Sequence, residues 1–123
     1  MAKKILIVHG SDKRMETAIE KEFMWKLTIQ KYQHLAVTRN IELPNKRLVE
    51  YEDGTVVEML PAISANGKRL THLFVAKSVV DLDASGKLMN HFSQTIPVEL
   101  REENISVFEF VKDQGITVES WKK

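Results

Sequence analysis

The first apolar run, Lys3 to Val8, shows almost no alternation, the pattern of a strand covered on both faces. His9 to Asp12 then reads as a turn, with Ser11 or Asp12 able to cap the helix after it. From about Arg14 to Leu35, Met15, Ala18, Ile19, Trp25, Ile29, Tyr32 and Leu35 recur at three- and four-residue spacing. That spacing predicts an amphipathic helix packing its Met, Trp and Tyr side chains into a core, with Glu22 and Lys26 ordered for an i,i+4 ion pair.

Arg47 to Leu60 predicts a β-hairpin around Asp53-Gly54. A two-residue turn would pair Tyr51 with Val56 and mix polar and apolar residues on one face. A three-residue loop, Glu52 to Gly54 with Gly54 left-handed in a bulge, sets Val49 across from Val57 instead. Val49, Tyr51, Val57 and Met59 then share one face and Glu50, Glu52 and Glu58 the other; burial selects this register. Pro61 to Lys68, with Asn66-Gly67, reads as a loop, and Thr71 to Val75 as a second buried strand. Val79-Val80 extends that strand or begins a turn. Asp81 to Gly86 is a polar connector, Lys87 to Thr95 a short helix ending near Pro97, and Ile105 to Val111 a third strand, with Gly115 opening a short tail. The expected architecture is one α/β domain over residues 1–123: a small two- or three-layer sandwich on a largely parallel central sheet, with the hairpin inserted.

The order of strand, Gly-containing loop, helix, hairpin, strand, helix, strand resembles the P-loop ATPase core of phage terminase large subunits and helicase-like ATPases. The stretches that carry the resemblance are Ile5 to Thr17, Arg47 to Pro61 and Gly67 to Leu82, within residues 3–111. It implies a P-loop-NTPase-like fold with a phosphate site after the first strand. Against the pattern G-x-x-x-x-G-K-S/T, Gly10 and Thr17 match, but Met15 stands at the second glycine and Glu16 at the lysine. The backbone needs that glycine to close around phosphate, and the charge needs the lysine. At the magnesium-binding strand, His72 to Val75 leads into Ala76 and Lys77 where an Asp and a Glu would hold the ion and orient water. A chain of this ancestry is a degenerate relative that does not hydrolyse ATP.

Length and composition narrow the chemistry further. The chain has 123 residues, 43% hydrophobic and 28% charged, with no cysteine. Disulfides and thiolate metal sites are therefore excluded. The short apolar run at the N-terminus is neither a signal core nor a span, so a cytoplasmic protein is expected. The net charge of +1 leaves nucleic-acid binding to local clusters: Arg47, the Lys68-Arg69 loop and the tail lysines. Asp81, Asp83, Ser85 and Gly86 match the first half of a calcium loop, but Phe92 replaces the bidentate glutamate, and a helix-capping turn is preferred. His9, His34, His72 and His91 lack zinc spacing. No metal and no cofactor are expected.

The function expected from the sequence is a non-catalytic binding or regulatory module of phage type. It would dock on a protein partner or hold an anionic, nucleotide-like ligand at the carboxyl ends of the strands. His9, Gly10, Ser11, Asp12, Lys13, Arg14, Thr17 and Lys77 are the candidate ligand contacts. The alternatives are a nucleic-acid-binding accessory protein using Arg47, Lys68 and Arg69, and a small enzyme on a phosphorylated substrate with His9 as acid or base. Nothing in the pattern fixes the oligomeric state.

Overall fold

The computed structural model describes residues 2–11, 15–62, 69–111 and 113–121. Seven strands form one sheet: β1 (Lys4–His9), β2 (Val37–Leu43), β3 (Lys46–Tyr51), β4 (Val56–Pro61), β5 (His72–Ala76), β6 (Ile105–Val111) and β7 (Gly115–Ser120). Their spatial order is β2-β3-β4-β1-β5-β6-β7, so the first strand in sequence lies in the middle. Helix α1 (Met15–Gln30) follows β1. Helices α2 (Lys77–Leu82), α3 (Lys87–Gln94) and α4 (Arg101–Asn104), with a 3-10 turn at Val98–Leu100, connect β5 to β6.

The central position of β1 explains its composition. Ile5, Leu6, Ile7 and Val8 are all at most 2% exposed because both faces of the strand are covered. Laterally paired residues share a face of the pleat. Ile5 and Ile7 align with Val57 and Met59 on one side and with His72 and Phe74 on the other. This is the face under α1, which contributes buried Met24, Trp25 and Thr28, with buried Tyr32 added from the turn just after the helix. The Tyr32 and Tyr51 rings meet at 5.8 Å, and the Arg47 guanidinium lies 4.5 Å over the Trp25 ring. Leu6, Val8, Leu73 and Val75 point the other way, and Val79, Met89, Phe92 and Ile96 from the β5–β6 connection join the same buried cluster. The Asp83 carboxylate accepts the amides of Leu88 and Met89 at 3.2 and 3.0 Å, so the connector before α3 serves as its cap.

The sheet is mixed, and this overturns the largely parallel, P-loop-NTPase-like sandwich expected from the sequence. The parallel pairs β1–β4, β1–β5 and β5–β6 form its centre. The pairs β2–β3, β3–β4 and β6–β7 are antiparallel. The reason lies in the connections. Two residues join β2 to β3, four join β3 to β4 and three join β6 to β7, and such short links permit only antiparallel neighbours. The hairpin is therefore no insertion: β4 is the parallel neighbour of β1, and β2 and β3 extend the sheet beyond it. Gly115 opens a strand in place of a tail, and Val79-Val80 lies in α2.

The bulged register of the hairpin is found as expected. Val49 pairs with Val57, and Gly54 has φ +86°. Tyr51 N–H donates to Thr55 O at 2.9 Å, and the Thr55 amide donates to Asp53 Oδ1 at 2.9 Å, which closes the loop. Helix α1 ends at Gln30, short of the expected Leu35, and departs from expectation in two further ways. Met15, expected in the core, is 76% exposed, and Glu22 bonds Arg47 at 3.0 Å. No helix among the described residues is long and apolar enough to cross a membrane.

Phe92 is completely buried against the face opposite α1. Phe92→Ala should cost about 3–5 kcal/mol, lowering the urea midpoint with an unchanged m-value. A loss under about 1 kcal/mol would mean that the α3 layer is not part of the cooperative core.

Candidate functional site

At the carboxyl ends of the parallel strands, the structure brings together His9, Gly10 and Thr17. His9 is 8% exposed, and its Nδ1 lies 2.7 Å from the Gly10 carbonyl. That distance identifies Nδ1–H as the donor and leaves Nε2 as an acceptor. Burial pushes the His9 pKa down, and the nearby Lys21 charge adds to this, against a smaller upward pull from the Gly10 bond. The ring is thus neutral near pH 7 and supplies no positive charge for a phosphate.

Gly10 has no positive φ, and a Cβ there would meet Thr17 Cγ2 at 3.5 Å and Ser78 Oγ at 3.6 Å, ordinary contacts. The backbone does not demand glycine as a phosphate loop does. Ser11 is exposed and Thr17 buried. Asp12, Lys13 and Arg14 lie outside the described residues. Lys77 Nζ sits 3.5 Å from Glu109 Oε2.

A hollow of about 280 Å³ at the same end is lined by His9, Lys21, Glu22, Glu42, Lys46 and Arg47, among others. Its charges answer one another. Arg47 bonds Glu22 at 3.0 Å and approaches Glu42 at 3.8 Å, and Lys46 meets the buried Glu58 at 3.4 Å. An anion entering here would have to displace existing partners, because most of the cationic donors are already committed.

The other end of the strands differs. A hollow of about 610 Å³ is lined by Lys4, Arg69, Leu70, Thr71, Gln94, Thr95, Ile96, Pro97 and Arg101. Backbone bonds draw these segments together. Lys4 N–H donates to Thr71 Oγ1 at 2.9 Å, Thr71 N–H to Lys4 O at 2.8 Å, and Leu70 N–H to Thr95 O at 3.1 Å. The Asn104 side-chain amide donates to Thr71 O at 2.9 Å. Arg101 is anchored by its Nε–H, which donates to Ile96 O at 2.9 Å. A guanidinium carries four further N–H donors. Leu70 and Ile96, 6% and 1% exposed, give the hollow an apolar floor. Among the described residues no carboxylate lines it, and none pairs with Lys4, Arg69 or Arg101.

Arg47 and Arg69, grouped by the sequence as one basic surface, therefore belong to opposite ends of the sheet. Arg47 is level with Met59 near the end of β4, whereas Arg69 precedes β5. Lys68 lies outside the described residues. Lys4, the adjacent Gln94 and Thr95, and Arg101 escape a reading by motif because they come from three separate segments. No group of three or more metal-ligating side chains occurs among the described residues. No protein-family model, curated protein or solved structure matches the chain.

His9 and His72 are both held below the ordinary histidine pKa of 6.5 by burial, with Lys3 and Lys31 adding to the effect at His72. Between each lowered folded value and 6.5 the unfolded chain binds more protons, so stability rises with pH there. Their contribution is complete above 6.5 and is lost as pH falls through the folded values. Urea midpoints measured from pH 7.5 down to about pH 5 should fall, and His9→Gln should flatten that slope. An unchanged slope in the variant would show that His9 is not buried neutral.

Proposed function

We propose that the protein is a non-catalytic binding module that holds a small anion with an apolar body, a nucleotide-like phosphate ester, in the hollow at the amino ends of its strands. The observation that carries this reading is the convergence of Lys4, Arg69 and Arg101 on one cavity with no lining carboxylate. Phosphate recognition uses such donors, and Arg supplies them in a planar fork. The floor of Leu70, Ile96 and Pro97 suits a flat apolar group, while Gln94, Thr95 and Thr71 offer polar contacts at its edge. The volume lies in the usual range for small-molecule sites.

A binding role fits the residues better than catalysis does. None of the described lining residues is a histidine, carboxylate or cysteine, and the Thr71 hydroxyl, 2.8 Å from His72 Nδ1, also accepts the Lys4 amide at 2.9 Å and so is tied into the backbone pairing. A small anion fits better than a long polyanion as well. Glu99, Glu102 and Glu103 flank Arg101 along the chain, and an extended nucleic-acid backbone would meet their charge.

Isothermal titration with AMP, adenosine and inorganic phosphate tests the reading. AMP should bind best, since it alone engages floor and cations together. Arg69→Gln and Lys4→Gln remove exposed side chains that no structural bond requires, and each should weaken AMP binding by about tenfold, the scale of one charge-assisted hydrogen bond. Absence of binding by AMP, or equal affinity in both variants, would sink the proposal. Tighter binding of an oligonucleotide, steeply weakened by salt, would favour the nucleic-acid alternative.

A further inference from the structure

Helix α1 carries partly exposed apolar residues outside the row of Met24, Trp25 and Thr28 that seals the sheet. Ile19, Phe23 and Leu27 are 38%, 45% and 36% exposed, and their four-residue spacing sets them in one stripe that Met15 extends. Beside the stripe lies a hollow of about 250 Å³ lined by Ala18, Ile19, Glu22, Phe23 and Lys26. The Phe23 ring also stacks on Phe110 at 5.8 Å, and register places half-exposed Val118 on the same face, so the apolar surface continues toward β7. Contiguous apolar surface of this kind marks an interaction site.

We infer that this surface binds a second copy of the chain, two α1 helices packing antiparallel about a two-fold axis at Phe23. The argument is charge complementarity. With Phe23 opposite Phe23, Ile19 falls opposite Leu27 of the second copy. Glu22 and Lys26 of the second copy then stand only two residues apart along the axis, about 3 Å, within side-chain reach. A two-fold axis makes that ion pair twice. Glu22 Oε1 accepts from Arg47 within its own chain, which leaves the other carboxylate oxygen for the lysine. Lys26 has no ion-pair partner among the described residues. A parallel pairing would set Glu22 against Glu22 and Lys26 against Lys26. The hollow beside Ala18 receives the Phe23 ring of the second copy, and a net charge of +1 keeps no two copies apart.

Sedimentation velocity over a wide concentration range tests the dimer, with circular dichroism as the check on folding. The wild-type chain should dimerise, and Phe23→Glu should raise the dissociation constant roughly thirtyfold or more, as loss of a buried aromatic anchor does. Ile19→Glu should do the same without touching the Phe23–Phe110 stack. Glu22→Lys and Lys26→Glu should each weaken self-association by setting like charges together, while a mixture of the two variants should form a heterodimer. A wild-type chain that stays monomeric at every concentration overturns the proposal and leaves the stripe to another protein. A dimer untouched by Phe23→Glu and Ile19→Glu, or a mixture that associates no better than its components, overturns it as well.

Discussion

Everything in this fold depends on keeping β1 dry on both faces. Its run from Ile5 to Val8 is apolar on every side chain, so it can sit only inside a sheet with a layer above and a layer below. That requirement is met by β4 and β5 on its flanks, both parallel to it, by α1 over one face and by the β5–β6 connection over the other. Strand β6 follows β5 in parallel through that connection, and β2, β3 and β7 are added by short turns at the margins, where antiparallel pairing is the only geometry that their links allow.

One consequence is an asymmetry between the two ends of the sheet. In open α/β sheets ligands usually lie beyond the carboxyl ends of the strands, next to the strand from which the order runs both ways. Here β1 is that strand, yet the charges at its carboxyl end have found partners within the chain: Arg47 with Glu22, Lys46 with Glu58 and Lys77 with Glu109. The usual advantage of that end depends on free donors, and these three described cations are paired. At the amino end, Thr71 ties β5 to β1, and the Arg101 guanidinium is held by one nitrogen only. Cations gathered without counter-charges raise the local potential. The proposed site follows from ion pairing more than from topology.

Much of the local structure was legible because burial acts on one residue at a time. The register of the β3–β4 hairpin could be chosen correctly because only one loop length puts Val49, Tyr51, Val57 and Met59 on a common face. Strand β6 was readable as an apolar run bounded by polar residues. Strand β2 was not, since it is an edge whose residues are nearly all exposed and whose alternation carries no burial signal. Strand direction was also hidden. A buried strand reads the same whether its neighbour is parallel or antiparallel, and a resemblance in element order cannot tell one α/β topology from another. The amino-end hollow joins Lys4, Arg69, Thr95 and Arg101 across almost the whole sequence, so only the fold could assemble it.

Helix α1 shows how a periodic pattern can point to two faces at once. Met24, Trp25, Thr28 and Tyr32 already seal the sheet, so the core has no need of Ile19, Phe23 or Leu27. The helix gains little from two of them, since Ile and Phe are poorer helix formers than Glu or Lys. Their exposed surface also costs free energy of hydration at every moment the chain is alone in water. Phe23 meets Phe110 within the monomer, yet each of the three keeps more than a third of its surface exposed, and the proposed self-association would cover that remainder. That the cation-lined hollow lies at the sheet's amino end, with the stripe on the outward side of α1, leaves both surfaces accessible at once.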